Sequence, residues 1–293
     1  MAAGLRIVAM ADTHLFHDAL VVPDGDILVH AGDLLQYGSL EELGRATDFL
    51  RALPHPIKIL VAGNHEICLE RSPVEARALL EGFVYLQDSS AMVHDLVFYG
   101  SPWQPKGRIW AFGATRGAGL AAKWAKIPDH VDVLVTHGPP HGFGDRIRWK
   151  EQDRRVGCVD LLTRVREVKP RLHLFGHIHQ DRGLWTDGPT TFGNVTTDDA
   201  RAPPNSPRPP LTIAACEGPK RSPPTSPLPR RSAVVFVETK RCQEGPTNRT
   251  PVRRGGPTPA ARRYRRKTPR SSLRRRLWGR LWTRGLPGSR RAA

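Results

Sequence analysis

Residues 59–66 read ILVAGNHE, an apolar run that passes directly into a polar block. The apolar half has the composition of a buried strand. Gly63 permits a tight turn, and Asn64 and His65 follow it as side chains of the kind that bind metal ions. This junction predicts an α/β sheet with a functional site at the ends of its strands.

The same junction occurs four more times in the first 180 residues. Apolar runs precede Asp12-Thr13-His14, Gly32-Asp33, Thr136-His137-Gly138 and Gly176-His177-Ile178-His179. Groups beyond the carboxyl ends of strands in an open α/β sheet face one crevice, so we expect these blocks to meet. A single His after an apolar run is more often a hydrogen-bonded loop residue than a ligand. Five such blocks together favour a shared metal site.

In this order the blocks resemble the signature of the calcineurin-like metallophosphoesterase superfamily, which runs D-x-H, G-D, G-N-H-[DE], H and G-H-x-H. Further stretches are similar to its metallophosphoesterase-domain-containing, or MPPED-type, branch. These stretches are residues 28–33, 59–66, 85–89, 99–103, 136–140 and 155–158. The resemblance covers about residues 5–197, or 5–213 with a last edge strand. It implies an α/β fold of two facing mixed β-sheets flanked by helices, with metals at one end.

The resemblance also implies a set of metal ligands. One metal would take Asp12, His14 and His179, the second would take Asn64, His137 and His177, and Asp33 would bridge the two. Oxygen and imidazole donors suit two divalent ions such as Mn²⁺, Fe or Zn²⁺ and disfavour a pure Mg²⁺ cage.

The chemistry expected of such a site is hydrolysis of a phosphoester. Two metals about 3.5–4 Å apart deprotonate a bridging water near neutral pH and promote in-line attack of the hydroxide at phosphorus. His65 would assist the leaving group, and Glu66 would orient its neighbours. The resemblance to MPPED-type proteins favours a phosphodiesterase acting on small diesters such as 2′,3′- or 3′,5′-cyclic nucleotides.

Three alternatives stay open at this point. The ligands do not encode the leaving group, so the main alternative is a phosphomonoesterase or a nuclease. A scaffold that only binds a nucleotide or a partner would be expected to lack a ligand, and no ligand is missing. In the third alternative the basic C-terminal tail is the functional part and binds nucleic acid or acidic membranes.

The charge of the chain is concentrated in that tail. Residues 198–293 contain 24 of the 45 Lys and Arg but only 5 of the 28 Asp and Glu, a net charge of +19, whereas the remainder carries −2. The tail is also rich in Pro and poor in apolar periodicity. We therefore expect a metallophosphoesterase domain at 1–216 and an Arg/Pro-rich, mostly disordered tail at 217–293. This composition is also typical of a translated GC-rich extension.

The four cysteines are scattered, which predicts no disulfide framework and a reducing compartment. We expect a cytoplasmic protein, with the nucleus as an alternative suggested by the basic tail. No secretory signal and no transmembrane segment are predicted.

Helical spacing predicts helices at 40–53, capped by Ser39, at 73–81 and at 157–168. A second group of strands is predicted at 92–99, 109–112 and 190–195, and Trp103 is a candidate for stacking on a substrate base.

Overall fold

The computed structural model of the protein describes residues 5–107, 109–198, 208–215 and 235–238. The chain divides into two units, residues 1–238 and 239–293, and the second unit lies outside the described residues. The strands are β1 Leu5–Met10, β2 Ile27–Ala31, β3 Ile57–Val61, β4 Val84–Tyr85, β5 Ser89–Val93, β6 Leu96–Ser101, β7 Gln104–Pro105, β8 Gly113–Ala114, β9 Val133–Thr136, β10 Arg146–Trp149, β11 Gln152–Arg155, β12 Leu172–Phe175, β13 Gly183–Asp187, β14 Thr190–Asn194, β15 Leu211–Ala215 and β16 Val235–Glu238. The helices are α1 Leu40–Ala52, α2 Ile67–Arg71, α3 Pro73–Leu79, α4 Ala118–Trp124 and α5 Val159–Val168, with a 3₁₀ turn at His17–Ala19.

Two six-stranded mixed sheets dominate the fold. The first has the order β16-β15-β1-β2-β3-β4, with β1 to β4 parallel and β15 antiparallel to β1. The second has the order β13-β14-β12-β9-β6-β5, parallel from β14 to β6 and antiparallel at both edges. Two short pairs, β7-β8 and β10-β11, stand outside these sheets.

The apolar core lies between the two sheets. Ile7, Val29 and Ile59 of the first sheet share one buried cluster with Phe98, Val133 and Leu174 of the second. Each fully buried side chain of this size contributes about 1.5–3 kcal/mol. Helices α1 and α3 cover the outer face of the first sheet, and α4 and α5 cover that of the second. The expected architecture of two facing mixed sheets flanked by helices is confirmed.

Helix α1 shows why the local sequence predicted its position. The Ser39 hydroxyl accepts a hydrogen bond from the backbone N–H of Glu42 at 3.1 Å, which satisfies a donor in the first turn. Leu43, Ala46 and Leu50 recur at helical spacing and are fully buried against the sheet. A capped start and one apolar face are both local features, so this helix follows from the sequence alone.

Three of the differences from the prediction have an identifiable local cause. The predicted strand at 92–99 is a hairpin of β5 and β6, because the chain turns at His94 and Asp95 with φ of 47° and 60°. Residues 109–112 form no strand, and Phe112 has a φ of 52° that is incompatible with a regular ladder. Helix α4 was not predicted, since the glycines around its start obscure the helical pattern.

The end of the described chain extends the first sheet. The expected last strand is β15, which pairs antiparallel with β1, and β16 pairs in turn with β15. The other residues of the predicted tail at 217–293 lie outside the described residues, so the boundary at 216 stays a prediction. Within the described ranges, none of the helices is long and apolar enough to cross a membrane.

Candidate metal centre

Five strand ends bring the predicted blocks together at one end of the sandwich. Strands β1, β2 and β3 of the first sheet and β9 and β12 of the second each lead into one block. The side chains form three groups, each with ligand atoms within 4.8 Å of one another. The groups are Asp12, His14 and His179; His14, Asp33 and His65; and Asp33, His137 and His177. The shared members join the three groups into one buried cluster.

The backbone of the cluster adopts conformations that are uncommon for residues with side chains. Asp12, His14, Asp33 and His177 all have positive φ, between 44° and 68°. Such angles cost free energy and are found where surrounding contacts impose them, often at functional sites. Gly32 has a φ of +97°, and a Cβ there would lie 2.5 Å from Nδ1 of His137. Only glycine fits this position without displacing a candidate ligand.

Backbone hydrogen bonds join the two sheets directly beside the cluster. Ala11 donates to the carbonyl of Val195 at 3.1 Å and accepts from the N–H of Thr197 at 2.8 Å. The N–H of His177 donates to the Asp12 carboxylate at 3.0 Å. The candidate ligands of the two sheets are therefore held in one framework of main-chain contacts.

The first group lies between the ends of β1 and β12. Nε2 of His179 is 3.5 Å from Oδ1 of Asp12. Nδ1 of His14 lies 3.0 Å from the carbonyl of Leu35, which accepts its proton. That bond leaves Nε2 as the ring nitrogen that points toward Asp33, 3.9 Å from its Oδ2. A neutral imidazole held in this tautomer presents a lone pair to a metal ion.

The third group, Asp33, His137 and His177, is arranged around Nε2 of His137. This nitrogen lies 3.0 Å from Oδ1 of Asn64, 3.3 Å from Oδ1 of Asp33 and 3.1 Å from Nδ1 of His177. Nδ1 of His137 lies 3.0 Å from the carbonyl of Ala31, which accepts its proton. Four donor atoms of the type that bind divalent transition metals therefore converge on one position, and this convergence fits a metal ion.

The electrostatics of the cluster favour positive charge beside each carboxylate. Burial by itself would raise the pKa of Asp12, but the attraction of His179 outweighs it and lowers the pKa to about 2. Burial opposes protonation of His179 as well, yet Asp12 raises its pKa to about 10. The same balance holds the pKa of Asp33 well below its ordinary value and raises that of His137 to about 9. Two ionised carboxylates that attract cations are the electrostatic condition for binding divalent metals.

Two other histidines of the cluster remain neutral. Burial, together with the charge of His65, lowers the pKa of His14 to about 4. Burial, together with His137, lowers the pKa of His177 to about 3. Metal ligation requires the neutral imidazole, so both side chains carry the protonation state that a ligand needs at neutral pH.

Glu66 connects the loops that follow β2 and β3. Its carboxylate accepts backbone N–H groups from Asp33 at 2.9 Å and Leu35 at 3.1 Å, and it also accepts the N–H of Gly63. Burial and the charge of Asp33 raise the pKa of Glu66 to about 7. The side chain is fully buried and makes contacts consistent with an orienting role, as the sequence predicted.

His65 lies at the edge of the cluster with its ring fixed on two sides. Nδ1 is 2.7 Å from the carbonyl of Gln36, and the ring stacks on Trp110 with centroids 4.1 Å apart. The ring also meets His14 edge-on at 4.6 Å. These contacts aim Nε2 toward Asp33, at 3.9 Å from its Oδ2. The imidazole is thus oriented beside the candidate metal ligands.

Two residues of the site were not predicted from the sequence. Trp110 forms a wall against His65, and the Asp198 carboxylate contacts Nδ1 of His179 at 2.8 Å. Trp103, the predicted stacking residue, instead donates from Nε1 to Asp88 at 3.0 Å, and Nζ of Lys123 lies 3.4 Å from the centre of its ring. One face of Trp103 is therefore already covered, whereas Trp110 is, among the described residues, the tryptophan that stacks on a histidine of the cluster.

Comparisons with known proteins agree with this geometry. The sequence model of the family described as Calcineurin-like phosphoesterase matches residues 5–181. The chain is 41% identical over 215 residues to human metallophosphoesterase domain-containing protein 1, covering 65% of each chain. It is 38% identical over 214 residues to a UPF0046 protein of Caenorhabditis elegans, covering 67% of this chain and 76% of the relative. The chain thus spans about two thirds of the human relative's length.

One solved crystal structure shares the fold at low sequence identity. It is 15% identical, superposes with a TM-score of 0.51, and is matched over 66% of this chain and 91% of its own length. At this identity the likeness concerns the arrangement of strands and helices alone.

Proposed function

Because this chain belongs to the calcineurin-like phosphoesterase family, we propose that it is a dinuclear-metal-dependent phosphoester hydrolase that acts on small diesters. The observation that supports this proposal best is the convergence of three overlapping ligand groups at the ends of five strands. Family membership by itself supports metal-dependent phosphoester hydrolysis. The choice of diester and the roles of individual residues are our inference.

In the proposed site, one ion would be held by the first group and the other by the third group together with Asn64. The ligands would be Asp12, His14 and His179 for one ion and Asn64, His137 and His177 for the other, with Asp33 shared. Ions bound there would polarise the phosphoryl group and lower the pKa of water. The protein contributes fixed ring orientations, ionised carboxylates and a buried environment in which these charges act strongly.

His65 would act on the departing oxygen of the substrate. An imidazolium at this position donates one proton to the Gln36 carbonyl from Nδ1 and keeps the Nε2 proton available for transfer. Trp110 restricts the ring to this orientation by stacking. A positioned acid of this kind matters most when the leaving alkoxide is strongly basic.

The charge balance around the site supports a diester substrate. In the part of the chain that the structure describes, no Lys or Arg forms an ion pair with Asp12 or Asp33, whose ion-pair partners are histidines. A phosphomonoester dianion carries one negative charge more than a diester and gains more from a fixed cation. Among the described residues, therefore, no fixed Lys or Arg is paired with these two carboxylates, and in our proposal this favours the monoanionic diester.

The test compares two substrate panels after metal depletion and reconstitution with Mn²⁺. We expect hydrolysis of bis(p-nitrophenyl) phosphate and cyclic nucleotides to exceed that of the matching monoesters by at least about tenfold in kcat/KM. Asp33→Ala should lose both ions, as measured by elemental analysis, because the two groups share this carboxylate. A preference for monoesters would contradict the diester proposal, and one tightly bound ion in a folded, active sample would contradict the dinuclear site.

A further inference from the structure

The hairpin β10-β11 stands apart from both six-stranded sheets. Its register pairs Arg146 with Arg155 and Trp149 with Gln152. A two-stranded hairpin on its own is only marginally stable in water, so its anchoring contacts determine where it stays.

The base of the hairpin is fixed to the loop that follows His137. The fully buried carboxylate of Asp145 accepts N–H groups from Gly142 at 3.0 Å and Gly157 at 3.2 Å, and it pairs with Arg155 at 2.7 Å. Hydrogen bonds from charged groups to a buried carboxylate are among the stronger polar contacts in proteins.

Strand β10 is fixed to the loop after β12, which carries His177 and His179. The N–H of Arg146 donates to Asp181 at 2.9 Å, and the N–H of Arg148 donates to the side chain of Gln180 at 2.8 Å. Gln180 and Asp181 directly follow His179 in the chain. The hairpin therefore contacts the loops after both His137 and His179 and borders the candidate metal centre.

The surface of the hairpin is basic and carries an aromatic side chain. Residues 146–155 contain five Arg and Lys and two acidic residues, a net charge of +3. Arg154 is exposed and lies opposite Ile147, on the same face as the half-buried Trp149. The only hydrogen bond from the Arg154 guanidinium among the described residues is a long one of 3.4 Å to Gln152. This face thus carries a half-buried indole ring and, at the diagonal position of the hairpin, an uncommitted cation.

We propose that this hairpin face binds single-stranded nucleic acid and directs it to the metal centre. The proposal rests on the proposed phosphodiesterase activity and extends it to oligonucleotides. A single strand offers unpaired bases that stack on Trp149 and phosphates that pair with Arg154 and Lys150. The bases of a duplex are paired and cannot stack on Trp149. Acidic membranes and acidic peptides would pair with the cations but have no base to stack on the indole.

The test uses the full-length, Mn²⁺-loaded protein and the double variant Trp149→Ala/Arg154→Ala. Hydrolysis of a single-stranded oligothymidylate and of bis(p-nitrophenyl) phosphate is measured together with binding of the labelled oligonucleotide at low and high salt. We expect the ratio of oligonucleotide to small-diester kcat/KM to fall about tenfold or more, with weaker binding and a shallower salt dependence. Arg166→Ala is the matched control, because Arg166 is an exposed arginine on α5 that pairs with Asp187.

Several outcomes would overturn the inference. An equal loss on both substrates would mean that the hairpin only supports the site. Unchanged oligonucleotide binding, or reduced binding to phosphatidylserine vesicles in its place, would mean that nucleic acid is not the ligand. If no phosphoester is hydrolysed but oligonucleotide binding still weakens in the double variant, the proposed function fails and the binding face stands.

Discussion

His65 is the residue whose proposed role can be separated most clearly from metal binding. It is held by the carbonyl of Gln36 and by Trp110, and it is a ligand of neither proposed ion, although it shares one ligand group with His14 and Asp33. We expect His65→Ala to keep its metal content and to lose about 10² or more in kcat on diesters with poor leaving groups. Activated aryl esters, which need no acid, should lose much less. Equal losses on both substrate types would assign His65 a structural role.

Asp198 offers a second prediction for a single residue. Its carboxylate accepts a hydrogen bond from Nδ1 of His179 at 2.8 Å, which fixes the ring with Nε2 toward Asp12. Such partners typically change metal affinity by about 10- to 100-fold. Asp198→Asn should therefore weaken binding of Mn²⁺ by about this factor in a titration of metal-depleted protein. Asp187→Asn, at an exposed ion pair with Arg166, is the control and should bind like the parent.

The blocks that contain the seven candidate ligands could be located from the sequence because each block follows an apolar run, and the family resemblance then implied which residues of each block are ligands. Trp110 and Asp198 could not be predicted in this way. Trp110 reaches His65 only through a loop that the sequence suggested to be a strand, and Asp198 reaches His179 after an intervening hairpin. Their roles depend on long-range contacts that leave no local signal. The assignment of the ligands to two ions remains a proposal.

At the scale of strands, two buried histidines repeat the same arrangement in the two sheets. Nε2 of His30 in β2 lies 3.1 Å from the hydroxyl of Thr13, and Nε2 of His173 in β12 lies 2.9 Å from that of Thr136. Each threonine adjoins a candidate ligand. In each sheet, therefore, a buried histidine of one strand contacts the threonine beside a candidate ligand of the neighbouring strand.

These histidines make the folded protein sensitive to acid. Burial lowers the pKa of His173 from 6.5 to about 3, and burial is also the main cause that lowers the pKa of His30 to about 3. Below pH 6.5, His30 and His173 are protonated in the unfolded chain but stay neutral in the folded chain down to about pH 3. The contribution of these two histidines to stability is therefore complete above pH 6.5 and falls toward pH 3, by up to about 1.4 kcal/mol per pH unit for each histidine.

The measurement is urea unfolding between pH 7 and pH 4 with a chelator present. His173→Gln keeps a hydrogen-bonding group near Thr136 but cannot bind a proton, so its stability should fall less steeply with acid. His94→Asn, at an exposed turn with a φ of 47°, should keep the parent's slope. A parallel fall in the parent and in His173→Gln would show that His173 does not titrate on unfolding.

The elements follow from sequence where the information is local. Helices α1 and α5 carry an apolar face at helical spacing, and the cap of α1 was visible as Ser39. The turn at His94 and Asp95 was missed because neither glycine nor proline marks it, and their positive φ is imposed by the pairing of β5 with β6. Pairing between strands thus determines the secondary structure where the local sequence does not, as in the β5-β6 hairpin.

For the molecule as a whole, the proposed boundary at 216 leads to a truncation experiment. All candidate ligands lie at or before His179, and a chain ending at 216 retains β15, which pairs with β1. We expect this chain to bind metals and to hydrolyse small diesters like the full protein. A chain ending at 240 also includes β16, which only extends the sheet beyond β15, and it serves as the comparison. Loss of activity in the shorter chain, with metals still bound, would place the boundary beyond β15.

The main-chain link between Ala11 and the segment 195–197 has a consequence for how the protein opens. These bonds cross from one sheet to the other, so the sandwich is closed by backbone at the end that holds the candidate ligands. Brief local openings should begin elsewhere, and the amides of Ala11 and Thr197 should exchange with deuterium only when the whole domain unfolds. Hydrogen exchange at these two amides would then report global stability. Faster exchange there than in β9 would mean that the metal end loosens by itself.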